Sequence, residues 1–242
     1  MSAEFSRDQF EGREYYCLAD GIVSNDHWAK SPVRVINLLK QPKESEHWLA
    51  RGAWEKAEDV ARGASSCPGQ RRNLWANIMR WNAAAKRVLS GEAVSWPDFE
   101  GVSGPSAELA DALRSSALFN LDDTYPIGLY RRASRDHRQF AKMALHCADR
   151  QIPRILRATW PDGNNPNLPC VVLCCGAGIY RLFGELVATR GAEVSKDRLL
   201  VPKQGYCGRE CPVIDWYHPS CRKRSRKLLD DLCGAIRTVF RR

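Results

Sequence analysis

An α/β fold, a three-layer α/β/α sandwich around a central, mostly parallel four-stranded sheet, is predicted by three features of this 242-residue chain. Four short apolar runs alternate with helical segments, the order that a doubly wound sheet with helices on both faces requires. One of those runs, Cys170-Val171-Val172-Leu173-Cys174-Cys175-Gly176, is apolar almost throughout, as suits a central parallel strand covered on both sides. Leu, Val, Ile and Trp are spread from end to end with no low-complexity stretch, so a single domain over residues 1–242, with its core at about 33–235, is expected.

Val33 to Leu39 is a short run rich in branched residues, stopped by Lys40-Gln41-Pro42, and reads as the first buried strand. Trp48 to Arg62 has helical composition. Asn73 to Leu89 is predicted to be a helix because Leu74, Ile78, Trp81, Ala85 and Val88 recur at helical spacing. Ser95 to Pro105 carries Pro and Gly and reads as a loop. Ser106 is placed to cap a short helix ending at Arg114, and Ser116 to Leu121 is the second strand, stopped by Asp122-Asp123. Ser134 to Leu156 is helical despite Pro153, with Phe140, Met143, Ala144, Cys147 and Ile155 available for a buried face. Gly163 to Pro169 is turn-rich and leads into the apolar run at 170–176. Gly176 and Gly178 then open a helix through Val187, Pro212 to Tyr217 is the fourth strand, and Arg224 to Phe240 the last helix.

The formal net charge is +9, and it is concentrated near the end of the sequence. From His218 onward, Arg222, Lys223, Arg224, Arg226, Lys227, Arg237, Arg241 and Arg242 stand against Asp230 and Asp231, which places six of the nine excess charges there. An anionic partner is implied. No run of ~18 apolar residues and no apolar amphipathic face is available for a membrane, so the expected partner is nucleic acid. Ten cysteines without an amino-terminal signal segment fit a reducing compartment, and a cytoplasmic protein is expected. Cys207-x-x-x-Cys211 and Cys174-Cys175 lack the paired spacing of a structural zinc knuckle. Cys67, Cys207, Cys211 and Cys221 would have to converge in space to hold a metal, and none is expected.

In doubly wound sheets the loops at the carboxyl ends of the strands form the site. Those ends collect Lys40-Gln41-Pro42, Asn120-Leu121-Asp122-Asp123, Gly176-Ala177-Gly178 and His218-Pro219-Ser220. The last joins a titratable ring, a chain-stiffening proline and a hydroxyl to five cations within residues 221–227. Proline fixes its own backbone and biases His218 toward extended geometry, so the imidazole is held on a defined loop.

On these residues the chain resembles the uracil-DNA glycosylase superfamily, including its divergent bacterial members. Lys40-Gln41-Pro42-Lys43-Glu44-Ser45-Glu46 is similar to the family's water-positioning motif, with Pro42 and Glu46 in place. Asn120 matches the strand-end Asn that hydrogen-bonds a flipped pyrimidine, and His218, Pro219 and Ser220 match the final H-P-S motif without a gap. The resemblance covers about residues 33–235, and only H-P-S is specific as a string. Gln41 stands where the best-known members have Asp, and Cys221-Arg222-Lys223-Arg224 replaces an apolar wedge.

What the resemblance implies is a monofunctional DNA glycosylase that uses water as nucleophile and needs no cofactor. His218 would stabilise the departing base oxygen, and Asn120 would bind the base edge. Gln41 would orient the water, or Asp122, Asp123 or Glu46 would activate it. Ser220, Arg222, Lys223 and Arg224 would hold the DNA beside the extruded nucleotide, with Trp48, Trp54, Trp75 and Trp81 as aromatic candidates for stacking. A monomer acting on single- or double-stranded DNA with a flipped base is expected. Base excision repair of uracil and antiviral defence against modified phage pyrimidines such as glucosylated hydroxymethylcytosine both fit. A DNA-binding module of the same fold without the chemistry, and a zinc-dependent nucleic-acid enzyme, are the rival readings.

Overall fold

A computed structural model of the chain describes residues 7–10, 13–17, 21–40, 71–99, 106–122, 124–126, 137–159, 168–200, 210–219, 221 and 225–240. Its strands are β1 (Arg7–Phe10), β2 (Arg13–Cys17), β3 (Gly21–Ile22), β4 (Arg34–Leu39), β5 (Ser116–Asn120), β6 (Thr124–Pro126), β7 (Cys170–Cys175), β8 (Glu193–Ser195), β9 (Arg198–Leu200) and β10 (Glu210–Trp216). Its helices are α1 (Asn25–Lys30), α2 (Arg71–Leu89), α3 (Ala107–Arg114), α4 (His137–Thr159), α5 (Ile179–Ala188) and α6 (Ser225–Phe240).

The α/β class holds, and the strand count is corrected. The four expected strands β5, β4, β7 and β10 lie side by side and parallel, but they form the centre of a seven-stranded sheet in the order β3-β5-β4-β7-β10-β9-β8. Its edge strands β3, β9 and β8 are antiparallel, and β1, β2 and β6 make a separate three-stranded antiparallel sheet. The β8–β9 hairpin turns at Lys196-Asp197, both in left-handed conformation (φ 47° and 62°), positions that favour Gly or Asn. With Lys and Asp there, the sequence carries no strong turn signal. The expected helix over Trp48–Arg62 lies outside the described residues, and the loop expected from Ser95 contains a 3₁₀ turn at Trp96–Phe99.

Alternation along the central strands divides the interior into two cores. Val35, Leu118, Val171, Leu173, Ile214 and Trp216 face α2, α3 and α6. Ile36, Leu38, Ala117, Phe119, Val172 and Val213 face α4 and α5. The result is three layers with helices on both faces of the sheet. Ile78, Trp81 and Ala85 of α2 are buried, as their spacing predicts, and so are Phe140, Met143, Ala144, Cys147 and Ile155 of α4. Pro153 sits inside α4 without ending it, because Ile152, Ile155 and Leu156 around it are anchored in the core. Ser106 caps α3, its side chain accepting from the Leu109 N–H at 3.3 Å. Among the described residues no helix is long and apolar enough to cross a membrane.

One polar pair interrupts the first core. Asn37, in the middle of β4, donates from Nδ2 to Oδ1 of Asn82 on α2 at 3.0 Å and to the Ala117 carbonyl at 3.4 Å. Both Asn side chains are fully buried, and Asn37 Oδ1 and Asn82 Nδ2 have no partner among the described residues. Replacing Asn82 alone with Leu strands the Asn37 amide and is expected to cost about 1–3 kcal/mol in urea unfolding. The double replacement Asn37→Val, Asn82→Leu removes every polar atom of the pair and should be less destabilised than Asn82→Leu alone. A loss in the double variant equal to the sum of the losses in Asn37→Val and Asn82→Leu alone would show that the amides do not depend on each other.

Candidate active site

The carboxyl ends of β5, β4, β7 and β10 share one edge of the sheet, and their last residues form a single rank. Asn120 pairs with Leu39, Leu38 with Cys174, and Cys175 with Trp216. The ladder runs on past β5, with the Leu121 N–H donating to the Leu39 carbonyl at 2.9 Å and the Asp122 N–H to the Lys40 carbonyl at 3.2 Å. Strand order reverses between β4 and β7, so the topological switch point, where open α/β sheets bind ligands, lies between Lys40 and Gly176.

His218 is brought to that point. Gly176 follows β7 at φ +135°, and a Cβ there would lie 3.6 Å from His218 Cδ2 and 3.8 Å from its Cβ, so the half-buried histidine lies over the end of β7. Three further contacts fix its loop. The His218 carbonyl accepts the Cys221 N–H at 2.9 Å, closing a turn with Pro219 at its second position, where the fixed φ of proline is favoured. Asn77 Nδ2 of α2 donates to the Pro219 carbonyl at 2.6 Å. The Gly176 N–H donates to the Trp216 carbonyl at 2.8 Å, tying β7 to β10 directly beneath. That bond also engages the first N–H of the Gly176-Ala177-Gly178 turn. Gly178 takes a left-handed conformation (φ 78°) as the N-cap of α5, so the glycines serve chain geometry and the close approach of His218.

Asn120 and Asp122 stand at the same edge, at the end of β5, with β4 between them and the switch point, and both are buried, with exposures of 2 % and 0 %. Three strand spacings, roughly 14 Å, separate the backbones of β5 and β10. The packing of His218 over the end of β7 brings it one strand closer to β5 than its own strand lies. Gln41, Asp123, Ser220, Arg222, Lys223 and Arg224 lie outside the described residues, as do Pro42, Glu46, Trp48 and Trp54. Trp75 and Trp81 belong to the core and are no stacking surface, with exposures of 2 % and 1 %.

The chain matches no protein-family model, no curated protein and no solved structure. The geometry of the strand ends is therefore the ground on which function is read.

The two described members of the cysteine set that a metal would need do not meet. Cys211 begins β10 and is buried in the core facing α4 and α5, whereas Cys221 lies beyond its other end and packs against the opposite core. The strand between them spans roughly 16 Å. Cys67 and Cys207 lie outside the described residues, and no group of three or more His, Cys, Asp or Glu able to hold a metal occurs among the described ones. Cys174 and Cys175, at the end of β7, are fully buried thiols pushed well above their ordinary value of 9.0 by desolvation, which keeps them protonated and unreactive. Sequence reasoning missed Asn77, whose partner is 142 residues away, and the contact between Gly176 and His218. The glycine pair was its only local signal.

Desolvation also raises the Tyr180 phenol to about 12, and its hydroxyl donates to Asp197 Oδ1 at 3.1 Å. These three acids ionise more readily in the unfolded chain than in the fold, so their contribution is complete below pH ~9 and is lost as pH rises above it. Thermal unfolding followed from pH 8 to 11 should show a falling Tm over that window. A flat profile would mean that the thiols and the phenol are not held neutral by burial.

Proposed function

We propose that the chain is a monofunctional DNA glycosylase with a uracil-DNA glycosylase-like fold, acting on uracil or a modified pyrimidine in DNA. The observation that carries this reading is the immobilised His218 ring over Gly176 at the topological switch point, on the edge that holds Asn120 and Asp122. The motif-bearing strands run parallel and end together, as the resemblance requires. The sequence after Pro219 carries five cations within residues 221–227, a charge that suits a phosphate backbone.

In the proposed reaction the C1′–N bond breaks as a water oxygen bonds to C1′, and the water proton passes to a carboxylate, with Asp122, Asp123 and Glu46 as candidates. Gln41 orients that water, and Asn120 donates to and accepts from the base edge. The electron pair leaves with the pyrimidine, where His218 stabilises the negative charge that develops on its oxygen. A duplex base reaches such a site only by extrusion, which costs a few kcal/mol. The substrates this reading names are a deaminated base, as in base excision repair, and a hypermodified pyrimidine of phage DNA, as in antiviral defence. Incubation with plain, uracil-containing and phage-modified DNA, with the released base identified by mass spectrometry, distinguishes them. His218→Ala should slow base release by roughly two to three orders of magnitude while leaving DNA affinity nearly unchanged.

Burial of Asn120 and Asp122 favours a second reading, a DNA-binding module without chemistry. On that reading no base is released by the wild type, and His218→Ala changes nothing measurable. Both readings assign Arg222, Lys223 and Arg224 to phosphates. Replacing all three with Gln should weaken binding to every DNA sequence and reduce the logarithmic salt slope by about one unit per lost contact. An unchanged slope would leave the tract as a solvated helix start with no ligand.

A further inference from the structure

Aromatic side chains run in a line from the core to the surface beside His218. Trp81 of α2 meets Trp216 edge-on at 6.0 Å and 85°, and Trp216 meets Tyr217 at 5.4 Å and 73°. Trp81 and Trp216 are buried, whereas Tyr217 is 39 % exposed. It is the residue directly before the histidine. A large ring held edge-on by a buried indole is a rigid platform that loses little freedom when a ligand covers it.

Two exposed cations, Arg226 and Lys227, stand in the first turn of α6, nine and ten residues after Tyr217. Lys227 is held by Asp231 at 2.9 and 3.1 Å. Arg226 beside it is exposed and makes no ion pair among the described residues. Isolated aromatic exposure is ordinary, and an apolar protein partner would call for a contiguous apolar patch. An exposed ring in the part of the chain that carries six of nine excess charges fits a planar apolar ligand on an anionic backbone.

We propose that Tyr217 is the platform on which a nucleobase of DNA stacks, next to the nucleotide at His218, with Arg226 on a neighbouring phosphate. The proposal names the aromatic contact of the glycosylase reading and rests on that reading for the identity of the polymer. Base stacking on a protein ring is tolerant of sequence, so Tyr217 contributes affinity and leaves recognition of the base edge to the strand ends.

The test uses the full chain, with oligothymidine and an equally long strand of abasic spacers as probes, and reads affinity by fluorescence anisotropy at fixed salt. Tyr217→Ala and Tyr217→Leu should both weaken oligothymidine binding roughly 5- to 150-fold, the loss of one base–aromatic stack, while Tyr217→Phe binds like the wild type. On the abasic strand all four proteins should bind alike. Binding by the Leu variant equal to wild type, or an equal loss on the abasic strand, would overturn the stacking role. The Leu and Phe variants keep the side-chain volume, so a folding defect confined to the Ala variant leaves the comparison decisive. Affinity is read without base release, so a chain that frees no base yet shows this pattern retains the platform and loses the glycosylase reading.

Discussion

Burial of β7 on both faces is the constraint from which the rest of the architecture follows. Its six residues are all buried, and it is flanked by parallel β4 and β10, so its backbone groups are satisfied by neighbours while Cys170, Val172 and Cys174 enter one core and Val171, Leu173 and Cys175 the other. A slip of one residue would exchange the two sets and carry Asn37 or Arg34 of the neighbouring strand out of place, which makes the register strongly specified. That register aligns Asn120, Leu39, Cys175 and Trp216 in one rank. Every loop that bears a candidate residue therefore departs from the same edge.

The energetics of the His218 loop depend on contacts supplied by other elements. Ordering a residue costs about 1–2 kcal/mol of backbone entropy, and a net hydrogen bond returns about 1 kcal/mol. The Asn77 bond to Pro219, the turn bond from Cys221 and the packing of His218 on Gly176 together are of the size needed to hold His218 and Pro219, and proline has less freedom to lose in the first place. Removing one of these contacts would shift the balance toward a mobile imidazole. An electrophilic role demands the reverse, since a group that must reorganise at the moment of reaction stabilises little.

The central fold was legible because its signals are local. An uninterrupted apolar run marks β7, helical spacing marks α2 and α4, and Ser106 marks the start of α3. The edges were not legible, for identifiable reasons. β3 has only two residues, and the β8–β9 hairpin hides its turn in Lys196-Asp197, whose left-handed conformation is held by the pairing of Ser195 with Arg198 and by the Asp197 carbonyl accepting the Val213 N–H at 2.8 Å. At the site, His218, Asn120 and Asp122 could be nominated from strand-end position alone. What fixes the histidine could not, because Asn77 and Gly176 reach it only through the tertiary fold. The helical spacing of α2 already pointed Trp81 into the core, whereas the burial of Asn120 and Asp122, which puts them out of contact with solvent, had no local signal.

On the glycosylase reading, that difference in depth separates binding from recognition. Arg226, Lys227 and Tyr217 lie at the surface, and Asn120 and Asp122 lie inside. His218 is half-buried between them. On the glycosylase reading a base is held first by groups that cannot distinguish it, and its edge is read only after it has entered. Entry then requires displacement of whatever covers Asn120, a cost that falls on every base alike. Only a base whose edge replaces the lost contacts with hydrogen bonds to Asn120 recovers it, because a buried amide left without its partners costs more than the bond itself provides. On that reading selectivity comes from the interior, and the surface cations set how often a base is presented to it.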